Sequence, residues 1–446
     1  MLVRGHERVL RWLVVVFLGV AGGQFAAAQT AGRSFDVVHY AAAIRPDVET
    51  GSVSGHVDIQ LRFLSDGVAA IEFDRGELAI DDVRYQGQRL TFELTPRRVR
   101  VVLPAKARRD ATGEISVSYH GKPQAGLQFV PDRRLVYTIF STSQWLVCVD
   151  APEDKATLDL EVTLPAGLLA AGPGTLVSER PGTDGTVVRR WQLTQSVSTY
   201  LFGFAAGRFT EVVAAHGKIA LHYLGEGVSR DELNRIFRET PEMIEFFTGR
   251  AGLPLPADAY TQVLVEKTAG QEAAGFSLLS DAYGQAVLKE PTGVSLIAHE
   301  LAHQWWGNLV TCRQWTHFWL NEGFATFMAA AYDEHRFGAD AYRQDIERAR
   351  VRYEEVRRHG GDRSLVFPDW TRPSAADRTI VYQKGAYVLH LLREQMGDEA
   401  FWTGIKRYTT AHAGQSVTTD DLKRSMEASS GSNLGAFFEK WVYVRQ

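Results

Sequence analysis

The chain has 446 residues, of which 45% are hydrophobic and 11% are aromatic, and this composition excludes a disordered or a fibrous protein. At about 150 residues per domain, the length predicts two or three domains with cores of their own. The formal charge of −4, from 49 Lys and Arg against 53 Asp and Glu, lacks the basic excess typical of nucleic-acid-binding proteins, so no nucleic-acid partner is expected.

Residues 1–28 are predicted to be a secretory signal peptide. Three arginines precede an almost wholly apolar run over residues 12–20, and residues 26–28, all alanine, supply a cleavage site. The run is short for a span of about 20 residues, so we expect cleavage near Ala28, a periplasmic or secreted protein and no stable membrane span. An uncleaved anchor is the alternative. Export would permit a Cys148–Cys312 bond, but two buried thiols are favoured because nothing in the sequence pairs these cysteines.

Residues 29–209 are predicted to form an antiparallel β domain. The segments 55–63, 115–119 and 157–164 alternate apolar and polar residues, which is the period of strands with one buried face. Glycines and prolines separate the segments, as turns require. No side chain of this region is a candidate for chemistry of its own.

Residues 210–446 are predicted to form a mainly helical domain, which makes the fold class α+β. Seven segments have helical patterns and helical start or stop signals. They are residues 230–247, 295–306, 321–337, 340–358, 382–395, 399–411 and 420–429.

The sequence His-Glu-Leu-Ala-His occupies residues 299–303 of a predicted helix. His299 and His303 are four residues apart, so both imidazoles project from one face and can share a metal ion. Glu300 can reach a water on that metal without being a ligand, which is the geometry of a general base. The surrounding residues are strongly apolar, so the helix is predicted to be buried, and a buried cluster of this kind needs a partner. A hydrogen-bonded core cluster is the alternative.

A catalytic zinc ion takes three protein ligands and keeps a fourth position open. A metzincin would place a third histidine six residues after His303, but Leu309 stands there and excludes that class. Glu322, nineteen residues after His303 on the next predicted helix, is the remaining candidate. His317 is predicted to pack among its aromatic neighbours or to support the site from outside the ligand set, and not to be a ligand. Two histidines and a glutamate suit zinc better than other divalent metals, so one Zn²⁺ per chain is expected.

The segments HELAHQWWGNLVT (299–311) and FWLNEGFATF (318–327) resemble the aminopeptidase N family of gluzincins, which also contains leukotriene hydrolase. The resemblance implies a saddle-like or sandwich β domain followed by a thermolysin-like zinc peptidase domain. It also implies that His299, His303 and Glu322 bind the zinc and that Glu300 is the base.

The resemblance continues outside the metal motif. The residues Tyr-Gln-Lys-Gly at 382–385 are similar to the family's Tyr-x-Lys-Gly, whose tyrosine donates a hydrogen bond to the oxyanion. This implies a catalytic role for Tyr382, whereas without the motif an ordinary packing tyrosine would be favoured. Residues 148–160 resemble the end of the family's first domain, and residues 200–204 resemble its junction with the catalytic domain.

Substrate-binding residues are less well matched. The family's Gly-x-Met-Glu-Asn loop, which binds the substrate's amino group, corresponds to residues 269–276. We align Gly270 and Glu272 with this loop and expect a charge-assisted hydrogen bond from the ammonium to Glu272. A second alignment leaves Ala274 in the glutamate's place. The family's substrate-contacting glutamine of the first domain has only Gln144 as a candidate.

The resemblance implies a zinc-dependent aminopeptidase that acts on peptides. Residues 437–441 resemble the end of the family's catalytic domain, so we expect a cleft without the helical cover of longer members. The alternatives are a zinc endopeptidase, another hydrolase such as an epoxide hydrolase, and a non-catalytic peptide-binding protein. Nothing in the sequence supports a homo-oligomer, and the oligomeric state stays open.

Overall fold

The computed structural model describes residues 32–367, 370 and 372–445. The predicted signal peptide therefore lies outside the described residues. Within these ranges, no helix combines the length and the apolarity that crossing a bilayer requires.

The first half of the chain consists of strands, as predicted. The strands are β1 (Phe35–Asp47), β2 (Ser52–Phe63), β3 (Val68–Asp74), β4 (Ala79–Tyr85), β5 (Gln88–Arg89), β6 (Phe92–Leu94), β7 (Arg98–Ala107), β8 (Thr112–Gly121), β9 (Leu127–Val130), β10 (Leu135–Thr138), β11 (Lys155–Pro165), β12 (Leu169–Ala171), β13 (Thr175–Pro181), β14 (Thr186–Ser198) and β15 (Ala205–Gly207).

These strands form one large and two small sheets. The large sheet has the order β13-β14-β11-β1-β2-β8-β4-β5, and the small sheets have the orders β3-β7-β6 and β12-β15-β10-β9. Pairing is antiparallel except between β1 and β11, which run parallel. The prediction of an antiparallel domain misses this pair, because β1 and β11 are distant in sequence and no hairpin sets their direction.

Among the described residues, the second half contains helices at every predicted segment and three further helices, the third, seventh and eleventh of the chain, that were not predicted. The helices are α1 (Arg230–Ile236), α2 (Thr240–Ala251), α3 (Asp281–Lys289), α4 (Ser295–Ala302), α5 (Trp319–Phe337), α6 (Ala339–Arg358), α7 (Ala375–Thr379), α8 (Gly385–Met396), α9 (Asp398–Ala411), α10 (Thr419–Ser430) and α11 (Gly435–Phe438). Two turns of π-helix, Ile380–Lys384 and Glu439–Tyr443, precede α8 and follow α11.

Two of the predicted helices differ from the observed ones. The helix predicted over 230–247 is two helices, because Pro241 in the first turn of α2 cannot continue an earlier helix. The helix predicted over 295–306 ends at Ala302, and a turn leads on to Gly307, which has a φ of 138°. His303 keeps helical dihedral angles at the helix end, so its four-residue spacing from His299 is preserved.

The second half also contains a sheet that the periodicity does not reveal. Its strands are β16 (Thr210–His216), β17 (Ile219–Gly225), β18 (Ala259–Val265), β19 (Gly270–Ala273) and β20 (Phe276–Ser280), in the order β16-β17-β18-β20-β19. Strand β19 lies at an edge of this sheet and runs antiparallel to β20. A short parallel pair, β21 (Thr311–Cys312) and β22 (Ser416–Val417), lies elsewhere.

Helix α5 is the centre of the helical core. It is buried along most of its length and packs against α4, α6 and α8. The α4 helix also packs against β19 and β20. The edge strand, the apolar α4 and the buried α5 are therefore held side by side, and they carry most of the predicted site residues.

Candidate metal centre and active site

Helices α4 and α5 bring the three predicted metal ligands together. The Nε2 atoms of His299 and His303 lie 3.1 Å apart, and Oε2 of Glu322 lies 3.3 Å and 3.4 Å from them. His303 and Glu322 are buried, and His299 is slightly exposed. Three lone-pair donors therefore converge on one point, with one side of the cluster accessible.

The other ring nitrogens of the histidines are held by groups outside this cluster. Nδ1 of His303 lies 3.0 Å from the carbonyl oxygen of Trp306, and Nδ1 of His299 lies 3.4 Å from Oγ1 of Thr326. A hydrogen bond from Nδ1–H to the carbonyl leaves Nε2 of His303 as the lone-pair donor. These contacts orient the two rings for metal binding.

The residues at this point fit a divalent cation. Oε2 of Glu322 is buried without a hydrogen-bond partner, a state that a metal ion would relieve. Burial disfavours a charged imidazole, yet Glu272 and Glu322 outweigh it and raise the pKa of His303 to about 10. At His299 burial outweighs the effect of Glu322 and lowers the pKa, so the carboxylates favour positive charge at His303 only. Two imidazoles and a carboxylate are a donor set that catalytic zinc accepts.

Glu300 is buried beside this cluster and is not one of its three converging donors. A second group of potential ligand atoms, from Glu272, Glu300 and His303, lies within 4.8 Å of one another. Burial, with the carboxylates of Glu272 and Glu322, raises the pKa of Glu300 well above its ordinary range. A carboxylate in such an environment is a stronger base than one in water.

Gly270 lies directly against Glu300. A Cβ added to Gly270 would collide with the Glu300 carboxylate and lie 3.2 Å from Cδ1 of Leu296. The residue at this position of β19 must therefore lack a side chain if the carboxylate is to stay where it is. The sequence prediction gave Gly270 a part in substrate binding, and the structure adds this packing contact.

Glu272 also lies on β19, and its carboxylate faces the same cluster. It is 3% exposed, and burial raises its pKa. Its Oε2 accepts a hydrogen bond of 2.9 Å from Nε2 of Gln271, whereas its Oε1 is buried without a partner. Ala274, the other candidate for this position, lies in the turn after β19, and its N–H donates to the carbonyl of Leu201.

Tyr382 lies in the π-helical turn before α8. Its ring stacks on that of His299, with centroids 5.8 Å apart and planes at 13°. Burial and the nearby carboxylates, chiefly Glu322, raise its pKa well above the ordinary range for tyrosine. The phenol therefore keeps its proton at neutral pH and can act as a hydrogen-bond donor.

Two contacts fix the turn that carries Tyr382. Nζ of Lys384, fully buried, donates to Oδ1 of Asp362 at 3.0 Å and to the carbonyl of Arg363 at 2.6 Å. Gly385 meets Gly323 of α5 so closely that a Cβ on either would lie 2.9 Å from the other's Cα. Because Gly323 follows Glu322, this close approach holds the turn that carries Tyr382 next to a metal-ligand candidate.

Other residues considered in the sequence lie outside the cluster. Nδ1 of His317 lies 2.9 Å from Oγ1 of Thr419, in a packing position as predicted. Gln144 lies in the first domain, against Gly76 and Gly126. Cys148 and Cys312 are both buried and free, so the prediction of two buried thiols is confirmed.

Tyr200 lies in the segment predicted to be the domain junction, and its link to the site was not predicted. Its hydroxyl donates to the carbonyl of Gly307 at 3.2 Å and accepts from Nδ2 of Asn321 at 3.0 Å. Oδ1 of Asn321 in turn accepts from the N–H of Cys312. The position of Asn321 just before Glu322 was the signal that could have indicated a supporting role.

Comparisons with known proteins agree with this architecture. The model of the Peptidase M1 N-terminal domain matches residues 37–201, and the model of the Peptidase family M1 domain matches residues 237–441. Together they cover both halves of the described chain, and they describe a two-domain peptidase. The chain belongs to peptidase family M1, which confirms the resemblance drawn from its motifs.

The curated relatives that match the chain are named as aminopeptidases. The chain is 26% identical to "Probable aminopeptidase 1" of Saccharolobus solfataricus over 85% of this chain and 50% of that protein. It is 30% identical to aminopeptidase N of Lactococcus lactis, over 66% of this chain and 36% of that protein. The chain thus spans half or less of the length of these curated relatives.

A solved structure matches over most of the length of both chains. This is an M1 zinc metallopeptidase from Deinococcus radiodurans, a glutamate-to-alanine mutant bound to a Tyr-Ser-Ala substrate. It superposes with a TM-score of 0.79 at 25% identity, over 93% of this chain and 95% of that one. The predicted fold class, a β domain followed by a helical peptidase domain, is confirmed.

Proposed function

We propose that the protein is a zinc-dependent aminopeptidase that releases N-terminal residues from peptides. The observation that supports this most is the convergence of two imidazoles, three buried carboxylates and a tyrosine at one place between α4, α5 and β19. His299, His303 and Glu322 would hold the zinc ion. The boundary between the first and second domains would lie near residue 209. When bound, zinc supplies a Lewis acid that polarises the scissile carbonyl and lowers the pKa of water.

The proposed roles of the protein groups follow from their environments. Glu300, whose pKa is raised by burial, accepts the proton of the attacking water as the new C–O bond forms. It then passes this proton to the leaving nitrogen as the C–N bond breaks. Tyr382 keeps its own proton and donates a hydrogen bond to the developing oxyanion, where the stabilisation counts most.

Glu272 would give the enzyme its preference for free N-termini. Oε1 of this buried carboxylate is without a partner, and the ammonium group of a peptide would supply a charge-assisted hydrogen bond. The opposite charge would also favour the ionised carboxylate in the complex. An N-blocked peptide offers no such charge, so it should bind poorly.

The test pairs metal analysis with hydrolysis of aminoacyl anilides and their N-acetyl counterparts. We expect about one zinc per chain and cleavage of the free-amine substrates only. Glu300→Gln should keep the zinc and lose about 1,000-fold or more in kcat. Equal cleavage of blocked substrates would identify an endopeptidase and remove the role of Glu272. Zinc without any cleavage would indicate a peptide-binding protein.

A further inference from the structure

The amide of Gln271 is enclosed within the candidate substrate site. Gln271 lies on β19 between Gly270 and Glu272 and is 3% exposed. Its Nε2 donates to the backbone carbonyl of Glu272 at 2.8 Å and to Oε2 of the same residue at 2.9 Å. The two neighbours of the NH₂ group thus belong to the residue that we propose to bind the substrate's amine.

The chemistry of these neighbours fixes the orientation of the amide. A carbonyl and a carboxylate are both acceptors, so only the NH₂ end of Gln271 can face them. Its Oε1 must point the other way, and this oxygen is buried without a hydrogen-bond partner. Oε1 of Glu272 is in the same state. Two buried acceptors on adjacent residues are therefore unsatisfied, a costly arrangement unless a donor fills it.

The strand pairing places this amide at the open edge of the sheet. The N–H of Ser280 donates to the carbonyl of Ala269, and Gln271 pairs with Leu278. In an antiparallel ladder the hydrogen-bonded pairs alternate, so the N–H and carbonyl of Glu272 point away from β20. The Gln271 amide that bonds to this carbonyl lies on that open side, beside the carboxylate that faces His303 and Glu300.

We propose that Gln271 is a second binding residue for the substrate's terminal ammonium. Its NH₂ group positions the Glu272 carboxylate, and its Oε1 joins Oε1 of Glu272 as an acceptor. This inference rests on the proposed aminopeptidase function. An ammonium group has three N–H donors and a full charge, so it can satisfy both acceptors. An acylated nitrogen has one N–H and no charge, so it leaves at least one acceptor unpaired.

The test measures peptide binding without turnover. The zinc-loaded Glu300→Gln protein is titrated calorimetrically with Leu-Ala-Ala and with N-acetyl-Leu-Ala-Ala. The substitution Gln271→Met keeps the side-chain length but removes the donor and the acceptor. Adding it should weaken the binding of Leu-Ala-Ala by roughly 10- to 100-fold, the range for hydrogen bonds to charged groups. The weak binding of the acetylated peptide should change less than about 2-fold.

Two further variants separate this role from structural support. Gln271→Glu keeps the side-chain length and still offers the ligand an acceptor, so it should lose less affinity for Leu-Ala-Ala than Gln271→Met does. Gln304→Met is the matched control. Gln304 is also a buried amide bonded to β19, donating to the carbonyl of Ala273 and accepting from the N–H of Gly275. Gln304→Met should lower the free energy of unfolding but leave the preference for the free-amine peptide over the acetylated peptide unchanged.

A measurement on the ligand needs no change at Gln271. N-methylation of Leu-Ala-Ala leaves two N–H donors, and N,N-dimethylation leaves one, while the charge is kept. The dimethyl peptide should bind about 10-fold or more weakly than the monomethyl peptide, and Gln271→Met should reduce this difference.

The outcomes distinguish this proposal from the function on which it rests. If the parent protein binds free and acetylated peptides alike, the aminopeptidase proposal and the role of Gln271 both fail. If it prefers the free amine and Gln271→Met binds Leu-Ala-Ala as tightly as the parent, only the role of Gln271 is wrong. Equal binding of the dimethyl and monomethyl peptides would also overturn that role.

Discussion

A methyl group added at Gly385 should displace the turn that carries Tyr382. A Cβ at this position would lie 2.9 Å from Cα of Gly323 on α5. Carbon atoms in contact prefer about 3.5–4.0 Å, so the two segments must separate by roughly 0.6–1 Å. A misplacement of about 1 Å at a catalytic group can cost about 100-fold in rate. We therefore expect Gly385→Ala to lower kcat by about 10- to 100-fold.

The zinc content should stay near that of the unchanged protein, because α5 is buried along most of its length and the turn is the partner that can move. Overpacking should also lower the free energy of unfolding by about 1–3 kcal/mol. The assay is therefore kcat per folded, zinc-loaded chain, with folding checked by urea titration.

Gly249→Ala is the matched control. Gly249 is also a helical glycine, in α2, but a Cβ there would meet nothing within 4 Å. This variant should keep kcat and gain up to about 1 kcal/mol in stability from helix propensity. Unchanged kcat in a folded, zinc-loaded Gly385→Ala protein would refute the idea that the glycine contact positions Tyr382.

Three other predictions test separate parts of the structure. Gly270→Ala should push aside the carboxylate of Glu300 and lower kcat by about 10-fold or more, with zinc retained in metal analysis. Tyr200→Phe removes two buried hydrogen bonds and should lower the free energy of unfolding by about 1–3 kcal/mol in urea titrations, with weaker zinc binding in chelator competition. Burial lowers the pKa of Lys155 from 10.5 to about 7, so the unfolded chain binds more protons between these values and stability should rise with pH. Lys155→Met should flatten this rise. An equal slope of unfolding free energy against pH in both proteins would contradict the lowered pKa of Lys155.

The three metal-ligand candidates were predictable because their geometry depends on local spacing. His299 and His303 needed only the periodicity of one helix, which holds although α4 ends one residue before His303. Glu322 needed only a following helix at a suitable interval. By contrast, Tyr382 has no local signature, since one tyrosine before an amphipathic helix resembles any other. The motif around it was needed, and the π-helical turn that presents it cannot be read from hydrophobic periodicity.

The sheet of the second half was missed for a different physical reason. Strands β18 and β20 are buried on both faces, so their residues do not alternate between apolar and polar. Short apolar runs of this kind cannot be told from helical segments by period alone. The proposed role of Gln271 could not be inferred either, because it depends on which acceptors surround the amide once β19 is folded.

The contacts between the two halves join segments that are synthesised at different times. Tyr200 bonds to Asn321, beside a metal-ligand candidate, and the carbonyl of Leu201 accepts from the N–H of Ala274, at the end of β19. Synthesis proceeds from the amino terminus, so residues 199–201 emerge before the strand and the helix that bond to them. Residues 199–201 are therefore available to the β half before their partners in the later half have been synthesised. Chimaeras that exchange the first half between relatives should work only when Tyr200 and the residues it contacts are kept together.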